Sequence, residues 1–263
     1  MGSRRIKEHE ETNITNVGTK SIVSEKEKKI RKKKTITKKV VNKKNTDNNS
    51  NNMVKKNNNV KNAKVSGNKD SIKIIPLGGL EEIGKNITVF EYNNEAIIVD
   101  CGLAFPEDDM LGVDIVIPDF TYIEKNIDRI KGLVVTHGHE DHIGSIPYLL
   151  KKVNVPIYST PFTIGLINSK LKEHNLDAKA ELNVVEFGDI IKLGKFTVEF
   201  IASAHSIPDS AMLAIKTDAG TIIHSGDFKI EYTPVDGKHM NLSRLGELGR
   251  EGVLALLSDS TNA

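Results

Sequence analysis

A single cysteine, Cys101, among 263 residues leaves no partner for an internal disulfide. No run approaches the roughly 18 apolar residues that a membrane-crossing helix needs. The N-terminal stretch is not expected to be a signal peptide, since it has no apolar core of the required length. Its lysine bias and interspersed glutamates fit a transit peptide poorly. These absences point to a cytoplasmic protein with no membrane partner. Residues 1–70 also lack any aromatic side chain and any sustained apolar periodicity.

What the first 70 residues do contain is Lys, Asn, Ser and Thr, with 20 Lys and Arg against 7 Asp and Glu. Such a stretch cannot bury enough apolar surface to offset the entropy of ordering it. We read residues 1–70 as a disordered extension, either an electrostatic arm for RNA or another polyanion, or a solubilising tail. Residues 71–263 carry 17 Lys and Arg against 28 Asp and Glu, so a basic tail precedes an acidic body. The net charge of +2 hides both.

The body is organised around Thr136-His137-Gly138-His139-Glu140-Asp141-His142-Ile143-Gly144. It follows the β-branched apolar run Ile130 to Val135, which reads as a buried strand. If the chain stays extended, His137 and His139 point to one side. Two imidazoles so placed can hold a divalent ion at about 2.0–2.1 Å. Asp141 and His142 follow the turn and can be aimed at a second position. Gly138 and Gly144 allow tight backbone folding.

Strands are expected over Ile72–Leu77, Ile87–Tyr92 and Glu95–Val99. Between the first two, Gly79-Leu80-Glu81-Glu82-Ile83-Gly84-Lys85-Asn86 nearly matches a phosphate-cradling loop. It ends in Asn, carries two glutamates and precedes a strand rather than a helix, so nucleotide binding is rejected. Asp100 closes the third strand, where it can accept the second ring N–H of a ligating histidine. A loop over Asp108–Pro118 and helices over Phe120–Ile130, His142–Lys152 and Pro161–Glu173 follow. Thr160 is the expected cap of the last of these, and His174 sits at its end as a non-catalytic surface residue.

Strands then dominate: Pro156–Ser159 earlier, and Leu182–Phe187, Ile190–Leu193, Phe196–Ala202, Ala211–Lys216, Thr221–His224 and Gly252–Leu257. His205 follows one strand end, and Asp227 another. A two-histidine loop needs a third nitrogen, which His205 can supply. Asp227 has two oxygens and can bridge two ions. His224 reads as packed. The chain stops at Ala263 without a solvated tail, as though within a longer protein.

The spacing His137-x-His139-x-Asp141-His142 resembles the signature of the metallo-β-lactamase superfamily, and Asp100 matches that superfamily's first aspartate motif. Four further stretches resemble the ribonuclease J family of the β-CASP group. They are Pro76 to Asn86, Ala204-His205-Ser206-Ile207-Pro208-Asp209-Ser210, Ser225-Gly226-Asp227-Phe228-Lys229 and Ser258 to Ala263. The resemblance spans residues 72–263. It implies an α/β metallo-β-lactamase fold, an αββα sandwich, with residues 71–263 as an incomplete domain. A β-CASP insertion, the remainder of the fold with one more histidine ligand, and a C-terminal domain would follow.

It further implies one metal held by His137, His139 and His205, and a second held by Asp141 and His142, with Asp227 bridging. Zn2+ is the first expectation, with Mn2+ or Mg2+ as alternatives. Two such ions share a water and lower its pKa toward about 7, and Asp141 would orient the resulting hydroxide. The implied reaction is RNA hydrolysis in 5′→3′ exonuclease and endonuclease modes, serving rRNA maturation and mRNA decay. The implied partners are RNA, further copies in a dimer or tetramer, and components of an RNA-degradation complex. The fragment alone is expected to be inactive. The competing readings are a metallo-hydrolase of a small thioester or lactone, and a non-catalytic RNA-binding or assembly subunit.

Overall fold

The computed structural model describes residues 71–235 and 237–260. The disorder expected for residues 1–70 and the stop at 261–263 lie outside the described residues.

Two sheets carry the fold. The first is ordered β1-β2-β3-β4-β5-β6, from Lys73–Gly78, Ile87–Tyr92, Glu95–Val99, Ile130–Val134, Ile157–Ser159 and Leu182–Val184. Its first three strands run antiparallel, and β3 through β6 run parallel. The second is ordered β11-β10-β9-β8-β7, from Ala255–Leu257, Gly220–His224, Ala211–Thr217, Phe196–Ala202 and Ile190–Leu193. Here β10 and β11 are parallel and the other pairs antiparallel.

Strand alternation sorts the apolar residues into layers, because successive side chains point to opposite faces. Phe90, Ile97, Val99 and Val134 of the first sheet pack on Phe196, Val198, Phe200 and Leu213 of the second. The opposite parity of the first sheet, Val89, Ile98, Leu133 and Ile157, packs under the helices through Ile123, Leu149, Ile167 and Leu171. On the outer face of the second sheet, Ile201, Met212 and Ile223 meet Met240 and Leu248. The order of layers is therefore helix, sheet, sheet, helix, as the family resemblance implies. Each fully buried Phe or Leu in these layers contributes roughly 1.5–3 kcal/mol of transfer free energy.

The helices are shorter than the periodicity suggests. The helix expected over Phe120–Ile130 is α1, Thr121–Lys125, followed by a 3-10 turn, Ile127–Arg129. Asn126 donates its side-chain amide to the Tyr122 carbonyl at 2.7 Å and interrupts the ladder. The helix expected over His142–Lys152 is two pieces, α2 (Glu140–Ile143) and α3 (Ile146–Leu150). Pro147 has no N–H to continue the first helix, and the Ser145 N–H turns to the Cys101 carbonyl at 3.0 Å.

α4 spans Pro161–Glu173 as expected, but Thr160 does not cap it with its side chain. Its hydroxyl donates to the Asp209 carbonyl at 2.7 Å instead, and Asp209 Oδ2 accepts from the Phe162 N–H at 3.3 Å. α5, Leu242–Glu251, is not anticipated from sequence. Arg244 on α5 pairs with the buried Glu199 of β8, which also binds Lys216 of β9. The expected strands at Leu182–Phe187 and Gly252–Leu257 are confined to Leu182–Val184 and Ala255–Leu257. No helix of the described residues is long and apolar enough to cross a membrane.

Candidate metal centre

Four strand ends converge at one edge of the seam between the sheets. β3 delivers Asp100, and β4 delivers the histidine-rich loop, both from the first sheet. β8 delivers His205 and β10 delivers Asp227, both from the second. Two donor groups result, His137, His139, His205 and Asp227 in one and Asp141, His142 and Asp227 in the other. Within each group the donor atoms lie within 4.8 Å of one another. All six candidate ligands of the sequence reading are thus brought together.

In the first group His139 Nδ1 stands 3.2 Å from His137 Nε2 and 3.1 Å from His205 Nε2. Donors at about 2.0–2.1 Å from one tetrahedral ion stand about 3.3 Å from each other. The three nitrogens are therefore spaced as a cation would require. Turned toward one another with no cation or shared proton, their lone pairs would repel. The donor set, three imidazoles and a carboxylate, is one that divalent transition ions favour.

Asp227 faces both groups. Its Oδ1 lies 3.2 Å from His142 Nε2 and its Oδ2 lies 3.6 Å from His205 Nε2. Burial raises the pKa of this carboxyl, but the His142 hydrogen bond and the neighbouring histidines outweigh it and hold the group ionised below its usual range. For His142 burial opposes charge, yet Asp100, Asp227 and Asp141 prevail and push its pKa up to about 10. Three carboxylates around one imidazole make this a place where positive charge is favoured. His137 goes the other way: burial and the adjacent His142, His205 and His139 hold it neutral, as a ligand must be.

Asp100 lies buried against the histidine loop. It is 1% exposed, and its Oδ2 accepts from His142 Nδ1 at 2.8 Å, leaving Nε2 toward Asp227. It holds a positive φ of 59°, a conformation uncommon for a residue with a Cβ. Thr136 and Asn86 also reach the site, and sequence reasoning does not single them out. Thr136 Oγ1 contacts Asp100 and His137. Asn86 Nδ2 lies 3.3 Å from Asp141 Oδ2 and 3.1 Å from His142 Nε2. It closes the near-match to a phosphate loop, where β2 begins at Ile87 and no helix follows.

His224 is packed as expected. Its Nδ1 accepts from the Gly226 N–H at 3.1 Å, and its ring meets Phe90 edge-on at 6.3 Å. Gly226 has a φ of 54°, and a Cβ there would stand 2.9 Å from Thr136 Cβ. The loop that aims Asp227 thus lies directly against the strand end that aims His137. His174 caps α4, where Lys151 Nζ stands 3.3 Å from its Nδ1 and the Tyr148 ring lies 5.4 Å away. A cleft of about 690 Å³ opens on the second donor group, lined by Asp141, His142, Asp227 and the Gly79–Ile83 loop.

The family description "Metallo-beta-lactamase superfamily" matches residues 81–239. Over 195 residues the chain is 53% identical to ribonuclease J of Synechocystis sp., covering 73% of this chain and 30% of the relative. It is 51% identical over 197 residues to ribonuclease J of Helicobacter pylori, covering 74% and 29%. It is 42% identical over 196 residues to ribonuclease J2 of Bacillus subtilis, covering 74% and 35%. The chain therefore spans about a third of the length of these curated relatives. With the matched span covering more than half of the sequence, the layered fold and the histidine-rich loop have one classification: the chain belongs to the metallo-beta-lactamase superfamily.

Proposed function

We propose that the protein containing this chain is a ribonuclease that hydrolyses RNA phosphodiester bonds with two divalent cations. The observation that carries the reading is the Asp227 carboxylate, set between His205 of one donor group and His142 of the other. Similarity to proteins named ribonuclease J supplies the substrate class.

In this reading His137, His139, His205 and Asp227 would hold one cation, and Asp141, His142 and Asp227 the other. When bound, such a pair lowers the pKa of a water and stabilises charge on the phosphoryl oxygens. Zn2+ is the cation this donor set suits first, with Mn2+ and Mg2+ as alternatives. The chain's own residues do the rest. Asp141 is partly exposed at the cleft. Its carboxylate, held by the Asn86 amide, is placed to accept a proton from the attacking water and orient it. Asp100 keeps the His142 ring turned so that Nε2 faces the cleft. The fully buried His137 closes the floor against solvent.

The same reading makes residues 71–263 the opening part of a metallo-β-lactamase domain that a β-CASP insertion interrupts. The second donor group offers three ligands where the first offers four, so the chain alone is inferred to bind cations without cleaving RNA. Exonuclease and endonuclease modes, roles in rRNA maturation and mRNA decay, homo-oligomeric assembly in the cytoplasm and degradation-complex partners belong to the whole protein.

The test is His139→Ala in the full-length protein. RNA cleavage is expected to be abolished while RNA binding is largely retained, since in this reading His139 serves the cation and not the RNA. Undiminished cleavage would remove the metal mechanism.

A further inference from the structure

One buried carboxylate touches His142 directly and touches Thr136, whose hydroxyl in turn lies beside His137. Asp100 Oδ2 accepts directly from His142 Nδ1 at 2.8 Å. The same carboxylate accepts from the Thr136 N–H at 2.8 Å and from Thr136 Oγ1 at 2.9 Å and 3.1 Å. Thr136 Oγ1 also stands 3.0 Å from His137 Nδ1. Thr136 and His137 are both 0% exposed, so no solvent molecule competes for these contacts.

Proton counting sets the direction. A threonine hydroxyl has one proton and two lone pairs. An ionised carboxylate only accepts, and here both its oxygens lie within reach of that one proton. The hydroxyl therefore donates to Asp100 and turns its lone pairs toward His137 Nδ1. That nitrogen must then carry the proton, which leaves the lone pair on Nε2. Nε2 is the atom that faces His139 Nδ1 at 3.2 Å within the first donor group.

We propose that Thr136 is a positioning residue: it relays Asp100 to His137, so that one carboxylate sets the tautomer of a histidine at each cation position. The arrangement is built before any cation arrives. Gly226, whose added Cβ would stand 3.1 Å from Thr136 Oγ1, keeps the hydroxyl free of a crowding side chain.

The inference rests on reading the six donors as a cation centre, and two measurements keep the two readings apart. The first is nitrogen NMR of the metal-free full-length protein with 15N-labelled histidine. His137 is expected with its proton on Nδ1, and a proton on Nε2 overturns the relay whatever the metal does. The second is Zn2+ affinity, measured by competition with a chromophoric chelator. Thr136→Val keeps the shape and removes the hydroxyl, and it is expected to weaken Zn2+ binding by about ten- to a hundredfold. Thr136→Ser restores the hydroxyl and is expected to recover affinity to within about threefold of wild type.

A Val variant that binds like wild type, or a Ser variant that binds no better than the Val variant, overturns the proposal. If the Val variant does not fold, the Ser variant and the wild-type tautomer still decide it. A full-length wild-type protein that takes up no Zn2+ counts against the cation centre itself, and the tautomer measurement still judges the relay.

Discussion

Gly102 passes so close to Asp141 that a Cβ added to it would stand 1.5 Å from the Asp141 carbonyl oxygen. The contact is laced on both sides. Cys101 N–H donates to the His142 carbonyl at 2.8 Å, and Leu103 N–H donates to the Glu140 carbonyl at 3.1 Å. The strand end that carries Asp100 is thus bound along its backbone to the loop that carries Asp141 and His142.

Gly102→Ala must push these two segments apart. We expect a loss of about 3 kcal/mol or more in urea unfolding, the upper range for overpacking. Zn2+ affinity should fall with it, because Asp141 and His142 move off their present positions. A variant with wild-type stability would show that the loop can yield without cost.

Asp227 gives a different expectation. In the full-length protein Asp227→Asn should weaken both cations, whereas His205→Ala should weaken one. Metal analysis after dialysis reads this directly: His205→Ala retains about one equivalent and Asp227→Asn retains less. Equal retention by the two variants would remove the bridging role of the carboxylate.

Glu199 answers to pH. Hydrogen bonds from Arg244 lower its pKa below the usual carboxylate value, against the cost of burial, and Lys216 adds to the effect. Because the folded pKa is depressed, its stabilising contribution is present above the unfolded value of about 4.3. It is lost as pH falls through the folded value. Arg244→Met should flatten the acid limb of the stability curve measured by circular dichroism between pH 3 and 6. An acid limb as steep as that of wild type would assign the sensitivity to other carboxyls.

The strands are legible in sequence as short apolar, β-branched runs such as Ile87–Tyr92 and Glu95–Val99. Their layering is not, because both faces of the first sheet are buried and the runs do not alternate; the αββα order follows from the family resemblance. The cluster His137 to His142 is legible because its spacing is local. His205 and Asp227 show themselves as isolated polar residues just past apolar strands. α5 is harder to see, since Gly246 and Gly249 weaken its helical signal and charge surrounds its apolar face. Its sequence cues are the Leu242, Leu245, Leu248 spacing, Asn241 just before it and Gly252 just after it; in the structure Asn241 accepts from the Arg244 N–H and Gly252 takes a positive φ. Thr136 and Asn86 carry no such cue. Their roles arise from contacts across 36 and 55 residues of chain, which spacing does not reveal.

The seam between the sheets has a mechanical consequence. Each donor group draws ligands from both sheets, so an ion in either one fastens the two layers together like a rivet. Sliding of one sheet over the other would pull His205 and Asp227 away from His137 and His142. Binding and interlayer packing should then be thermodynamically linked. Phe200→Ala, far from any ligand role, is expected to cost about 3–5 kcal/mol and to loosen the grip on Zn2+ as well. Saturating Zn2+ should in turn raise its melting temperature. The greasy interior would then serve as the jig that holds an aqueous site in alignment.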